Sequence, residues 1–226
     1  MALEHHPRII TDGLLFYIDA ANSRSYVGSG ITVNGLVSGI GVTLVNGPGF
    51  GSTNNGFLIF DGVNDHATFN VAGMGNTITV ELWAKIKSFH STMPFGFFEY
   101  DVFTYLGGIG FNTNNSDVHG ISSATVSGLG ISSKWTHYVF EMRTDVSYTN
   151  NKMYINGNLQ SLSQLIGTES AAKRTFNSGV GRISGYNANS SFAIPMDLGL
   201  FKFYNRSLSQ QEINFNYNAI KKRYGL

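Results

Sequence analysis

The sequence predicts an all-β fold, an antiparallel sandwich or barrel closed by one short C-terminal helix. Three observations point there. Several segments alternate apolar and polar residues with period two, as half-buried strands do. Clusters of Gly, Asn and Ser separate those segments, and the 226 residues include 27 glycines. Only the last stretch, "SLSQQEINFNYNAIKKRYGL", spaces its apolar residues as a helix does.

Taken in order, residues 1–12 read as an N-terminal arm and 13–226 as one domain. "GLLFYIDA" opens that domain as a strand. "GFLIFDGVNDHATF" reads as two strand pieces bent at Asp61-Gly62. In "TITVELWAKIK", Ile78, Val80, Leu82, Ala84 and Ile86 share one face, and Thr79, Glu81, Trp83, Lys85 and Lys87 the other. "MPFGFFEYDVFTYLGGIGF" is dense in rings whose parity changes at Phe98, so both faces receive them. Core packing accounts for most of these rings. "WTHYVFEMR" puts Tyr138, Phe140 and Met142 on one face. "KMYINGNLQSL" is a hairpin around Asn156-Gly157, a preferred two-residue turn. "SFAIPMDLGLFKFY" is the last strand, with Pro195 near its start, where a missing N–H is tolerated.

The closing helix carries its own start and stop signals. Ser209 and Glu212 form a capping box, with Leu208 and Ile213 at the staple positions. Ile213, Tyr217, Ile220 and Tyr224 make the apolar face. Lys221, Lys222 and Arg223 suit the C-terminal end of the macrodipole, and Gly225 ends the helix.

Composition excludes several classes. Charged residues are 13%, about half the usual share. The net charge is +1 and no basic block precedes the last turn, so a nucleic-acid partner has no footprint. With no Cys, thiolate catalysis, disulfides and Cys-based zinc sites drop out. No apolar run approaches a membrane span, and "MALEHHPRIITDG" has no signal-peptide h-region. The six His residues show no ligand spacing, and no nucleophile elbow or phosphate loop is present.

"GLLFYIDAANSRSYVGSG", "TLVNGPGF", "FDGVNDHATF", "ITVELWAKI", "WTHYVFEM", "MYINGNLQ" and the C-terminal stretch occur in that order. Together they resemble the concanavalin A-like lectin/glucanase superfamily in its laminin-G-like branch. They are similar to the short versions encoded by tailed bacteriophages, down to the Arg-Tyr-Gly-Leu ending. The resemblance implies a jelly-roll sandwich with the last strand beside the first. One departure stands out: "ITVNGLVSGIG" replaces a Trp and a DLSGNGN-like loop.

What the resemblance implies for chemistry can be placed residue by residue. The glucanase pattern is Glu-x-Asp-x-x-Glu, and "EYDVFT" supplies Glu99 and Asp101 but Thr104 in the third place. Retaining glycoside hydrolysis needs two carboxyls about 5 Å apart, so no enzyme is expected. A structural calcium ion is implied near the first and last strands, on Asp197 and Asp19, since hard oxygen ligands suit it. Glycan contacts fall to Trp83, as an exposed ring, and to Asp61, Asn64 and Asp65 in "DGVNDH". A solvent-facing Asp197 and a loop kept for its turn chemistry are the plainer alternatives.

The expected function is a non-enzymatic virion structural protein, first a capsid decoration protein, because no heptad or repeat builds a fibre stalk. The alternative is a carbohydrate-binding adsorption module of a tail fibre or baseplate, and after it a glucanase-like enzyme. Expected partners are other virion proteins, a host surface glycan and further copies of the chain. The expected place is the virion surface, after synthesis in the host cytoplasm.

Overall fold

The computed structural model describes residues 8–37, 39–97, 100–113, 116–168, 176, 180–185 and 192–226. Its strands, in chain order, begin with β1 (Leu14–Asp19), β2 (Thr32–Val33), β3 (Val42–Val45), β4 (Gly49–Gly51), β5 (Phe57–Asp61) and β6 (His66–Asn70). β7 (Thr77–Ile86), β8 (Thr92–Phe97), β9 (Tyr100–Tyr105), β10 (Gly108–Asn112) and β11 (Val118–Ile121) follow, then helix α1 (Ser123–Leu129). The rest are β12 (Thr136–Arg143), β13 (Lys152–Ile155), β14 (Asn158–Leu159), β15 (Ser163–Ile166), β16 (Val180–Ile183), β17 (Pro195–Tyr204) and helix α2 (Gln210–Ile220).

Two antiparallel sheets form a sandwich, as a jelly roll requires. One runs β14-β13-β12-β7-β17-β5-β4, with β1 also on β17. The other runs β15-β11-β10-β9-β8-β16-β6-β3-β2. The last strand lies beside the first, with Ile18 opposite Phe201. The core is aromatic and spans both layers. Phe69 meets Phe201 at 5.6 Å, Phe95 meets Phe140 at 5.5 Å and Phe97 meets Phe203 at 5.5 Å.

Local signals read from sequence hold where the chain is local. Asn156 (φ 50°) and Gly157 (φ 81°) make the turn between β13 and β14. Ser209 Oγ accepts from Glu212 N at 3.3 Å, and Glu212 Oε2 accepts from Ser209 N at 2.8 Å, closing the capping box. The alternating apolar set of β7 lies entirely in the core.

Other details differ from the sequence reading. The two strand pieces that meet at Asp61-Gly62 are β5 and β6, and they belong to opposite sheets. Helix α1 was not expected, being one short polar stretch, but Ser122 caps it at Thr125 N and left-handed Gly130 ends it. Helix α2 stops at Ile220, and Lys221–Tyr224 tighten into a 3-10 turn before Gly225. Period-two alternation alone would put Leu200 on the face of Leu198. Instead Gly199 is an extra residue, a bulge between Leu198 opposite Ala84 and Leu200 opposite Trp83. The bulge turns Leu200, Lys202 and Tyr204 outward toward α2. A Cβ at Gly199 would collide with the Tyr224 hydroxyl, so the close approach of the last turn needs glycine there.

The outer face of the first sheet is therefore not solvent-facing. α2 and its 3-10 turn cover it in two apolar clusters. Trp83, Leu200, Ile220 and Tyr224 form one. Val139, Tyr154, Tyr204, Leu208 and Ile213 form the other. Between them sits a buried polar group. Lys202 Nζ donates to Glu81 Oε1 at 2.7 Å, and Asn216 Nδ2 donates to Glu81 Oε2 at 2.7 Å. Part of the expected arm belongs to this layer as well. Ile10 packs on the second cluster, its N–H donates to Asn216 Oδ1 at 2.9 Å, and its carbonyl accepts from the Tyr204 hydroxyl at 3.1 Å.

Candidate functional site

The residues picked out from sequence do not converge. Trp83 is 0% exposed, and this corrects its reading as an exposed ring. α2 supplies the cover: Tyr217 stacks on Trp83 at 5.7 Å and Tyr224 at 4.7 Å. No face of Trp83 remains for a sugar.

Asp61, Asn64 and Asp65 are spent mainly on their own loop. Asp61 Oδ1 accepts from Val63 N at 2.7 Å and from Asn64 N and Asp65 N at 3.3 and 3.4 Å. Those donors, the Val63 N–H first, hold the Asp61 carboxyl below its usual value. Asp65 is buried and its Oδ2 accepts from Asp61 N at 3.2 Å; burial pushes its carboxyl up. The Asn64 carbonyl accepts from Asn46 Nδ2 at 3.0 Å. This is turn chemistry carrying the chain from one sheet to the other.

Asp19 and Asp197 have cations of their own. Arg223 Nη1 lies 2.9 Å from the Asp19 carboxylate. Lys87 Nζ lies 2.5 Å and Lys85 Nζ 3.4 Å from Asp197. Opposite Asp19 on β17 stands Leu200, three residues from Asp197. The two carboxylates, on which the resemblance implies a calcium ion, form separate ion pairs. Among the described residues no three His, Asp or Glu side chains gather to hold a metal.

The glucanase-like segment resolves in the same way. Glu99 lies outside the described residues. Thr104 pairs with Ile109 and points into the core, where its hydroxyl meets that of Thr92 at 2.8 Å. Asp101 points the other way, outward from the second sheet beside Asn112. It is fully buried, and burial pushes its carboxyl well above the usual range, opposed only by the Phe97 N–H. Among the described residues of β9 no second carboxyl stands beside it.

That outward face of the second sheet holds a cleft of about 310 Å³. Strand parity builds it. On β9, Val102 and Thr104 turn inward, so Phe103 and Tyr105 turn out. Their rings lie 6.3 Å apart, inclined at 27°. Phe192 closes edge-on against Phe103 at 5.8 Å and 77°. Met93 comes from the irregular step between Thr92 and Phe95 on β8. Val118 of β11 and Ile166 of β15 add aliphatic walls, with Asn112, Ser116 and Asp117 as the polar groups. Asp117 is already engaged: its carboxylate accepts from Thr113 N at 2.9 Å and from Thr113 Oγ1 at 2.5 Å. Sequence reading missed the cleft. Its only trace was the parity change that sends rings to both faces.

Residues 61–214 match a laminin-G-type family model of the concanavalin A-like lectin/glucanases superfamily. No curated protein matches the chain. Among solved structures it is similar to the receptor binding domain of botulinum neurotoxin D, with a TM-score of 0.63 at 14% identity over 92% of this chain and 52% of that one. The botulinum neurotoxin serotype D ligand binding domain, solved in complex with N-acetylneuraminic acid, gives 0.62 at 13% identity over 92% and 51%. The receptor binding domain of the C/D mosaic serotype gives 0.61 at 13% over 91% and 51%. The chain spans about half the length of these domains, and at such identity the likeness is one of fold.

Proposed function

The chain belongs to the concanavalin A-like lectin/glucanases superfamily, in its laminin-G-type family, and from that premise we propose that it is a non-enzymatic carbohydrate-recognition domain. The observation that carries this reading is the aromatic cleft on the second sheet, where half-buried Phe103, Tyr105 and Phe192 stand beside the Asn112 amide. Small-molecule sites are typically concave and apolar with a few placed polar groups. The similar neurotoxin domains are receptor-binding domains, and one was solved with a sialic acid, which supports a recognition role for the fold. Against catalysis stands the inward Thr104, in the place where the glucanase pattern has its last carboxyl.

The setting comes from the sequence resemblance to phage-encoded domains. On that support the domain sits on a virion surface as a capsid decoration protein, gripping host or environmental glycans. Placement as an adsorption module of the tail is the other arrangement. A glycan array tests the recognition reading. Binding is expected to fall about tenfold or more in Phe103→Ala and Tyr105→Ala, the loss of one well-packed ring. A protein that binds no glycan, or that releases reducing sugar from β-glucans, would refute it.

A further inference from the structure

Three features of the cleft restrict its ligand. The first is the ring slab. Phe103 and Tyr105, 6.3 Å apart and inclined at 27°, offer a broad flat surface with Phe192 edge-on at its end. A pyranose has one C–H-rich face that packs on such a slab while its hydroxyls point away.

The second is the aliphatic wall. Val118 and Ile166, opposite each other on β11 and β15, present no oxygen or nitrogen to the cleft from their side chains. A sugar hydroxyl turned toward them gives up water without a replacement partner, which costs free energy. A methyl group turned the same way gains by leaving water. Ser116, at the end of that wall, carries a hydroxyl that a ring hydroxyl or an amide can face.

The third is charge. Among the described residues that line the cleft none is Lys, Arg or His. The carboxyl among those described residues is Asp117, already satisfied by Thr113. An acidic sugar would meet the Asp117 carboxyl with no counter-ion among the described lining residues, and like charges at close range disfavour binding. At about 310 Å³ the cleft is at the small end of ligand sites, which run from about 300 to 1,000 Å³. One or two sugar rings fill it.

We propose that this cleft selects an uncharged sugar ring bearing a methyl-terminated substituent, with the ring on Phe103 and Tyr105 and the methyl against Val118 and Ile166. Two sugar classes carry that chemistry: N-acetylhexosamines through the acetamido group, and 6-deoxyhexoses through C6. The inference rests on the glycan-recognition reading above and narrows it.

Titration calorimetry with four probes tests it: N-acetylglucosamine, fucose, glucose and N-acetylneuraminic acid, each against wild type, Ile166→Ser and Phe103→Ala. Wild type should prefer N-acetylglucosamine or fucose to glucose by about tenfold, the usual worth of one extra apolar carbon in a pocket. Whichever of the two binds identifies the substituent. N-acetylneuraminic acid carries the acetamido group as well as a carboxylate and should bind more weakly than N-acetylglucosamine. Ile166→Ser should lower the affinity for N-acetylglucosamine or fucose about tenfold more than that for glucose, erasing the preference, a differential that simple unfolding would not produce. Phe103→Ala should weaken every probe. If glucose or N-acetylneuraminic acid binds best and Phe103→Ala abolishes it, the selectivity is wrong and the recognition reading stands. If no probe binds, and none binds on a wider array, both fall.

Discussion

Replacing Lys202 by Met probes the buried polar group beneath α2. Lys202, Glu81, His137 and Asn216 are all 0% exposed. Lys202 Nζ lies 2.7 Å from Glu81 Oε1 and 5.6 Å from the centre of the Tyr17 ring. His137 Nε2 stands 3.2 Å from the same oxygen. Burial alone would push the Glu81 carboxyl up. The Lys202 ammonium, aided by His137, outweighs it and brings the carboxyl down from 4.5 to about 2. That difference corresponds to about 3 kcal/mol of preference for the ionised form in the folded state. Removing the partner of a buried ion typically costs about 3–5 kcal/mol, since the stranded charge has no water to return to. In a domain of this size that is a drop of about 6–20 °C in Tm.

Urea denaturation at pH 7 reads the loss, and a pH series supplies its signature. A depressed carboxyl stabilises above its unfolded value, so the wild type should lose stability as pH falls from 4.5 toward 2. In Lys202→Met that decline should flatten, because the stranded carboxyl takes up a proton. The double variant Glu81→Met, Lys202→Met should recover most of the loss, as apolar replacements of buried pairs commonly do. A single variant within about 1 kcal/mol of wild type, against the usual cost, would refute the reasoning. So would a double variant no more stable than the single.

Two further outcomes follow from other carboxylates. Asp101 has its carboxyl raised above 3.8 by burial, so its protonated form stabilises the fold at low pH and that contribution is lost as pH rises through the folded value. Asp101→Asn should therefore raise Tm at neutral pH and change little near pH 4; an equal shift at both would contradict it. The calcium expected from the family resemblance is tested by chelation. With Lys85 and Lys87 on Asp197 and Arg223 on Asp19, Tm should be the same in EDTA and in calcium. A calcium-dependent rise that disappears in Asp197→Ala would establish the ion site after all.

Much of this protein is legible in the residues alone. The period-two pattern of Ile78 to Ile86, the Asn156-Gly157 turn and the Ser209–Glu212 capping box all depend on neighbours within a few positions, and all appear as read. The family, and with it the sandwich, also follows from motifs in order. What the sequence by itself could not decide is what covers an outward face. Trp83 alternates away from the core as any half-exposed strand residue does. It is buried because a helix more than a hundred residues later lies across it, and Gly199 leaves room for that helix's last turn. Asp19 reads as a cation ligand until Arg223, 204 positions away, reaches it. The cleft likewise gathers Met93, Phe103, Ile166 and Phe192 from four separate segments. Periodicity and capping are local because they are set by backbone geometry over a turn or a pleat. Burial, charge pairing and concavity are set by which distant segments meet, and only the tertiary structure determines that.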